Sequence, residues 1–455
     1  MRALIFLIGF LLPLSNALQS LWLPSQYASS MVLQRDAPIN IMGKASPGQV
    51  VSVSLMNESC EATADDDSWW ACAVPSQPAT STSFNLTISS SSGENIILSD
   101  VLIGDVFFCS GQSNMYLQVP QTVNGPEEVK NSSLWSQILR GILVQTDESY
   151  FNASEAQIDV LTSVPWTRVT PESTPYFSAL CYYHAVELLK ASINSGSETV
   201  PIGMICSSWG GTTIQPWMPE EAVSQCASQG HNARPPWMQS GKNPDPGSIG
   251  GLSSTGRSIS AARRPRQDTK NDFEMGDCIV PCLDSTLYNS MVSPFTYLPV
   301  AGWLWYQGES NVGSAESYAC QFPAMIEWWR QLWMKNTGGA QSSIAHQPFI
   351  FVQLSSWPNN DDNLNIPLLR ESQDAALELD DVAMAVAADI GDPAGPFHPI
   401  HPPYKQELSR RVALQARRIQ SQGKSITASG PRVVSVAVDP WTEDWGVRIL
   451  IHPTY

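Results

Sequence analysis

The residues best suited to chemistry lie in the run DVFFCSGQSNM at positions 105–115, where an apolar, strand-prone stretch ends in a Gly/Ser/Asn turn before a helix-compatible segment. Such a turn can hold Ser113 with its hydroxyl outward, beside the first backbone N–H groups of the helix. This arrangement suits acyl transfer, because it combines a nucleophile with part of an oxyanion hole. The same pattern also fits a serine that only caps a helix, and Met115 departs from the G-x-S-x-G nucleophile elbow.

A serine nucleophile needs a base, and the loop DIGDPAGPFHPIHP at positions 389–402 carries imidazole and carboxylate together. It follows a strand-like run and precedes a helical one, so we expect it at the same sheet edge as Ser113. One of its histidines, His398 or His401, held by one of its aspartates, Asp389 or Asp392, would meet the needs of a serine triad. Two imidazoles and a carboxylate also resemble part of a metal site, but no motif such as H-E-x-x-H is present, and we expect no metal. We interpret His184, in the middle of a helical pattern, as structural.

Two further segments follow strand-like runs: WLWYQGESN at 303–311 and ICSSWGGT at 205–212. Gln307 offers an amide N–H for an oxyanion, and Glu309 offers a carboxylate for a histidine or a sugar hydroxyl. Gly210 and Gly211 allow close backbone approach and a further N–H donor. The alternatives are polar caps at a strand end and an ordinary tight turn.

The elements that must position these residues follow from the hydrophobic pattern. Strand-like and helical runs alternate from residue 101 onward, which predicts a parallel sheet covered on both faces, with ligands beyond the carboxyl ends of its strands. The predicted strands are 200–206, 300–306, 349–354 and 382–388, and the predicted helices are 177–192, 315–334 and 404–419. Residues 21–99 instead carry short β-prone runs between Gly, Pro and Asp turns, typical of a small β-sandwich.

Composition and charge narrow the class of protein. The 455 residues are 43% hydrophobic and 15% charged, which predicts a globular chain of more than one domain. A net charge of -17 disfavours nucleic acid and anionic lipid as partners. The 16 tryptophans either line sugar sites or fill the core, and we favour the core.

The N-terminus and the sequons point to the secretory pathway. Residues 1–17 carry one basic residue, an apolar run and small residues before a cleavage site after Ala17, as in a signal peptide. No later stretch is long and apolar enough for a membrane span. Glycosylation sequons begin at Asn57, Asn85, Asn131 and Asn152. We therefore predict a secreted or lysosomal glycoprotein.

The nine cysteines then predict disulfides with one thiol left over. Cys60 and Cys72 flank a turn and are placed to close a hairpin. Cys282 has Cys278 and Cys226 as alternative partners. We predict Cys109, inside the strand before Ser113, to be the buried free thiol.

Several unusual segments, spread from about residue 20 to 420, resemble the sialate O-acetylesterases and related acetylesterases of the SGNH hydrolases. They are MVLQR at 31–35, GDV at 104–106, 109–115, 202–217, LYNSM at 287–291, 305–311, FVQL at 351–354, and IHP at 400–402 with KQ at 405–406. The resemblance implies a flavodoxin-like SGNH-hydrolase domain with a parallel sheet, joined to N-terminal β-sandwich elements in an α/β protein. It also implies no metal or organic cofactor.

The resemblance assigns roles to individual positions. Ser113 matches the nucleophile and His401 the base. Many SGNH enzymes have an aspartate three residues before the histidine, where this chain has His398, so Asp392 is the first choice of acid and Glu309 the alternative. The oxyanion-hole positions are Ser113, Gly210, Gly211 and Gln307. The substrate-binding positions are Gln112, Asn114, Glu309 and Asn311.

The resulting domain plan has four parts: a signal peptide at 1–17, a β-sandwich domain at 18–100, an esterase domain at 101–425, and a short segment at 426–455 that resembles a truncated β region. The Gly/Ser/Pro/Arg-rich insert at 240–270 is expected to be a disordered surface loop, with a basic partner-binding element or processing site as the alternative. We predict a serine esterase that removes O-acetyl groups from sugar hydroxyls, foremost those of sialic acids. The alternatives are an acetylesterase for another glycan, such as acetylated xylan or a microbial polysaccharide, and an inactive carbohydrate-binding homologue; the oligomeric state stays open.

Overall fold

A computed structural model describes residues 21–234, 280–339, 346–357, 365–421, 426–430, 432–439 and 446–452. The predicted signal peptide and the predicted insert at 240–270 lie outside the described residues.

The described chain forms fifteen strands and seven α-helices. The strands are β1 Val32–Gln34, β2 Ile39–Lys44, β3 Val50–Leu55, β4 Glu58–Thr63, β5 Trp69–Val74, β6 Thr80–Ser90, β7 Asn95–Gly111, β8 Leu139–Val144, β9 Thr162–Arg168, β10 Ile202–Ser208, β11 Gly302–Tyr306, β12 Phe349–Gln353, β13 Val382–Val386, β14 Arg432–Asp439 and β15 Gly446–His452. The helices are α1 Ser113–Tyr116, α2 Gly125–Asn131, α3 Ala179–Ser195, α4 Glu220–Ser228, α5 Ala315–Asn336, α6 Asn365–Asp374 and α7 Lys405–Gln420.

The central sheet has the strand order β13-β12-β11-β7-β10-β8-β9. All its neighbours pair in parallel except the edge strand β9, which is antiparallel to β8. Every residue of β8, β10 and β11 is buried, as expected for strands that are covered on both faces. The predicted α/β fold with a parallel sheet is confirmed.

Two neighbouring residues of β7 show how the helices cover this sheet. Phe107 packs edge-on against His184 of α3, with ring centroids 4.8 Å apart, whereas Phe108 packs against Trp329 and Trp333 of α5 at 5.8 and 5.3 Å. Successive side chains of a strand point to opposite faces, so α3 and α5 lie on opposite sides of the sheet. His184 is fully buried, in keeping with its predicted structural role, and much of the tryptophan surplus fills the core around α5.

The long strand β7 joins the N-terminal β region to the central sheet. Its first half pairs antiparallel with β6, and its second half pairs in parallel with β10 and β11. The boundary predicted at residue 100 therefore falls inside one continuous strand. In the β region, β3 pairs with β4 and β6, while β2 and β5 form a separate ribbon.

The disulfides confirm one cysteine prediction and overturn another. Cys60 and Cys72 are bonded, as predicted. Cys109 is not a free thiol, because it is bonded to Cys181 of α3. Cys109 lies two residues after Phe107 and so points to the same face of β7, toward α3. Within the described part of the chain the buried free cysteine is Cys206.

A further disulfide, Cys226–Cys320, links α4 to α5. It excludes the predicted alternative of a Cys226–Cys282 bond. Cys282 is itself disulfide-bonded, and Cys278 lies outside the described residues.

Near the C-terminus, β14 and β15 form an antiparallel two-stranded sheet within the segment predicted as a β region. No helix in the described part of the chain is long and apolar enough to cross a membrane.

Candidate active site

Three strands of the central sheet end at one level and create the candidate site. Ser208 of β10 and Tyr306 of β11 are both in register with Gly111, the last residue of β7. Gly111 has φ +142°, and a Cβ there would lie 2.1 Å from the Tyr306 carbonyl oxygen. The close approach of β7 and β11 therefore requires glycine at this position. Helix α1 begins two residues later, at Ser113.

The Ser113 side chain is only 3% exposed, and its Oγ has no hydrogen-bond partner among the described residues. The backbone N–H groups of Ser113, Gly210 and Gly211 likewise have no acceptor among those residues. Ser113 and Gly211 are buried and Gly210 is partly buried. Unpaired hydroxyl and N–H groups cost free energy inside a protein, so their presence together marks a place where a ligand can complete the hydrogen bonds.

His401 lies in the loop between β13 and α7, and it is also 3% exposed. Its Nδ1 is 2.8 Å from the Phe397 carbonyl oxygen. A carbonyl only accepts, so Nδ1 carries the hydrogen of the neutral ring and Nε2 is left with its lone pair. Nε2 has no hydrogen-bond partner among the described residues. The imidazole therefore has the tautomer that a general base needs.

Burial of the imidazole, followed by the nearby charges of Lys405 and His398, lowers the pKa of His401 to about 4; the hydrogen bond to Phe397 acts in the opposite direction. The ring is therefore neutral at pH 7 and able to accept a proton.

Asn114 connects the turn at residues 111–114, here called the serine turn, to the loop at residues 389–402 that carries His401, here called the histidine loop. Its Nδ2 donates to the carbonyl oxygen of Ile400, the residue before His401, at 2.9 Å. The same nitrogen donates to Glu309 Oε1 at 2.6 Å, and Asn114 Oδ1 accepts from Lys405 Nζ at 2.7 Å. The residue after Ser113 is therefore bonded to the residue before His401.

Within the described structure, neither predicted acid is hydrogen-bonded to His401. Asp392 Oδ1 accepts from the Ala394 N–H at 3.0 Å in an exposed part of the loop. Glu309 is buried and bonded to Asn114, and its burial raises its pKa to about 7. The group that orients His401 in this structure is the Phe397 carbonyl.

The Gln307 amide is placed differently from its predicted role as an oxyanion donor. Its Nε2 donates to the Thr212 carbonyl oxygen at 3.2 Å and to Asn311 Oδ1 at 2.7 Å, and its Oε1 accepts from Tyr318 at 3.0 Å. Both amide hydrogens are thus used inside the protein. Gln307 fixes the turn that carries the glycine N–H groups instead.

The residues predicted to bind substrate also make bonds within the protein. Gln112 Oε1 accepts from the N–H groups of Gly308 and Ser310, both at 3.2 Å. Asn311 Oδ1 accepts from the Ile214 N–H at 2.9 Å in addition to Gln307. With Asn114 and Glu309, these side chains connect three segments: the serine turn, the Gly308–Asn311 segment, and the turn at Gly210 and Gly211, here called the glycine turn.

Two residues without a predicted role lie at the site. Lys405, the first residue of α7, is fully buried beneath the histidine loop. Trp209, which follows β10, is half-buried; its N–H donates to the Gly111 carbonyl oxygen at 3.0 Å, and its ring lies edge-on to Phe151 at 5.8 Å. The sequence held one signal for each residue that could have drawn attention to it: Lys405 comes just after the histidine loop, and Trp209 comes just before paired glycines.

The chain resembles known proteins over most of its length. It is 30% identical to the human sialate O-acetylesterase over 437 residues, which cover 89% of this chain and 72% of that protein. The chain belongs to the sialate O-acetylesterase family. The orangutan (Pongo abelii) protein of that name is equally similar, at 30% over 436 residues with the same coverage. No family model matches the chain.

Among solved structures, a carbohydrate acetylesterase from Xanthomonas citri has a TM-score of 0.70 and 29% identity, covering 92% of this chain and 80% of that one. The family and this neighbour confirm the predicted resemblance and the enzyme class: this member of the family is a carboxylic ester hydrolase.

Proposed function

We propose that this family member is a serine esterase that removes O-acetyl groups from sugar hydroxyls, with O-acetylated sialic acids as its substrates. The observation that carries the proposal is that two buried groups, Ser113 Oγ and His401 Nε2, lack hydrogen-bond partners among the described residues and lie on segments that Asn114 joins. The names of the relatives supply the substrate class.

In the proposed reaction, His401 Nε2 takes the proton from Ser113 as Oγ attacks the acetyl carbonyl carbon. The N–H groups of Ser113, Gly210 and Gly211 bind the oxyanion that forms. The imidazolium then protonates the sugar alcohol as it leaves. Water, deprotonated by His401, finally hydrolyses the acetyl-serine.

The Phe397 carbonyl holds the Nδ1 hydrogen throughout and stabilises the imidazolium. Of the two predicted acids we favour Glu309 over Asp392 as the carboxyl group that supports His401, because Asn114 bonds both to Glu309 and to the residue before His401. Full activity in Glu309→Gln, together with a loss in Asp392→Asn, would reverse this choice.

We propose that the sugar stacks on Trp209. Trp209 is a partly exposed residue at the end of β10, next to the glycine turn, and Phe151 supports its ring edge-on. Aromatic faces of this kind suit the apolar face of a sugar ring.

We also propose that the enzyme is secreted or lysosomal. The asparagines of all four predicted sequons are exposed, and the disulfides require an oxidising compartment during folding. Endoglycosidase treatment of the secreted protein tests this, because it should lower the apparent mass.

Hydrolysis by wild type and Ser113→Ala tests the proposed function, with p-nitrophenyl acetate, O-acetylated sialic acid and acetylated xylan as substrates. Ser110→Ala is the matched control, since Ser110 also carries a buried hydroxyl on the same segment, likewise with no partner in the described part of the chain. We expect activity on acetylated sialic acid that only Ser113→Ala abolishes. Activity on xylan alone would support the second substrate, and binding without hydrolysis would support an inactive carbohydrate-binding homologue.

A further inference from the structure

Lys405 is a fully buried cation next to the proposed catalytic residues, yet the reaction above does not use it. Its Nζ donates to Asn114 Oδ1 at 2.7 Å and to the Pro402 carbonyl oxygen at 2.9 Å. The ammonium also lies 5.2 Å from the centre of the Tyr306 ring. Lysine is almost never fully buried without such partners, so these contacts account for its position.

The contacts of Lys405 reach both sides of His401. The ammonium binds the carbonyl of Pro402, the residue after His401, and through Asn114 it is connected to the carbonyl of Ile400, the residue before it. The histidine is therefore held at both neighbouring peptide groups by one ammonium and one amide.

Asn114 also joins the lysine to a buried carboxyl group. Its Oδ1 accepts from Lys405 while its Nδ2 donates to Glu309, so one amide bridges two buried ionisable groups. Burial disfavours the charged form of each group, and these hydrogen bonds offset part of that penalty. Three segments meet here: the serine turn, the end of β11 and the histidine loop.

We propose that Lys405 is a positioning residue for ester hydrolysis: through Asn114 and Pro402 it fixes His401 against the turn that carries Ser113, and its charge acts on the imidazole. This inference rests on the proposed function and deepens it. Removal of the ammonium should misplace the imidazole, and a displacement of about 1 Å at a catalytic base costs about 100-fold in rate.

The charge of Lys405 should shift the pKa of His401 in a predictable direction. Positive charge on Lys405 lowers the pKa of His401, as burial and His398 also do. Glu309 attracts the ammonium, and burial raises the pKa of Glu309 while it lowers that of Lys405. The groups around this cluster are His398 of the loop, Tyr306 and Glu309 at the end of β11, and Arg370 of α6 beside Tyr306. Without the Lys405 charge, the pKa of His401 should rise toward its ordinary value.

The test compares Lys405→Met with wild type, using p-nitrophenyl acetate over a range of pH. We expect kcat to fall by about 100-fold with KM within about threefold, because the lost interaction acts on the reacting groups. We also expect the acid limb of the pH profile of kcat/KM to move to higher pH. Lys130→Met is the control, since Lys130 lies on the exposed face of α2.

Two further variants keep the test decisive if Lys405→Met does not fold. Lys405→Gln retains a donor for Asn114 without the charge, so it should move the acid limb to higher pH even where kcat is largely kept. The double variant Asn114→Leu/Lys405→Met removes both polar partners and should be no slower than the slower single variant, because both act through one connection.

A folded Lys405→Met or Lys405→Gln protein with wild-type kcat and an unmoved acid limb would overturn this inference alone. Equal activity of wild type and Ser113→Ala would instead overturn the proposed function.

Discussion

The buried environment of His401 predicts that the enzyme keeps its activity in mild acid. A general base works in its neutral form, and burial lowers the pKa of His401 to about 4 from the ordinary imidazole value of 6.5. A lower pKa means that the neutral form persists to lower pH. At pH 5 an imidazole with a pKa of 4 is about 90% neutral, whereas one with a pKa of 6.5 is about 3% neutral, so the two cases differ about thirtyfold in kcat/KM.

The assay is kcat/KM for a fluorogenic acetate ester between about pH 3.5 and pH 8, with the fold followed by circular dichroism at each pH. The fold must be followed because His184 and His401 are buried with lowered pKa values, about 3 and about 4. The unfolded chain binds protons at these sites first, so the free energy of unfolding falls as the pH drops below about 6.5.

His231→Gln is the control, because it removes an imidazole from outside the site. We expect a flat profile down to about pH 5, with half of the maximum near pH 4. Half-maximal activity near pH 6.5 in a protein that is still folded would refute this account of the His401 environment.

Three further changes have defined outcomes. Gly111→Ala forces a Cβ to 2.1 Å from the Tyr306 carbonyl oxygen and should lower the free energy of unfolding by about 2–4 kcal/mol; an unchanged urea midpoint would contradict the close approach. The double variant Cys109→Ala/Cys181→Ala removes a disulfide between residues 72 positions apart in the sequence. Its free energy of unfolding should be about 4 kcal/mol lower in the same assay, whereas equal stability would argue against the bond in the native protein. Trp209→Ala should raise KM for acetylated sugars about tenfold without changing KM for p-nitrophenyl acetate, and an equal effect on both would exclude sugar stacking.

The sequence predicted most of the elements that carry strong periodicity. The helices predicted at 177–192 and 315–334 are α3 and α5, and the strand predicted at 300–306 is β11. Strands β8 and β9 were not predicted, because local signals oppose them. Arg140 and Gly141 interrupt the apolar run of β8; Arg140 is nevertheless buried, since its guanidinium donates to the Ser136 carbonyl at 2.6 Å. β9 contains a proline, which is tolerated at the sheet edge where this strand lies.

The candidate site was also predictable from the sequence only in part. The alternation of strands and helices, together with loop position, was enough to predict that Ser113 and His401 share one edge of the sheet, because both follow parallel strands. The engagement of the Gln307 amide was not predictable, since its partners Thr212 and Asn311 meet it only in the folded protein. The pairing of Cys109 likewise depends on which face of β7 meets α3.

The proposed mechanism requires Ser113 to form a covalent acetyl-enzyme. Acylation by p-nitrophenyl acetate should be fast because its leaving group is good, so acetyl-enzyme should accumulate before water attacks. Acid quenching within the burst, followed by peptide mass spectrometry, should find one acetyl group on Ser113 in wild type and none in Ser113→Ala. An acetyl group on another residue, or a burst that persists in Ser113→Ala, would contradict the proposed mechanism.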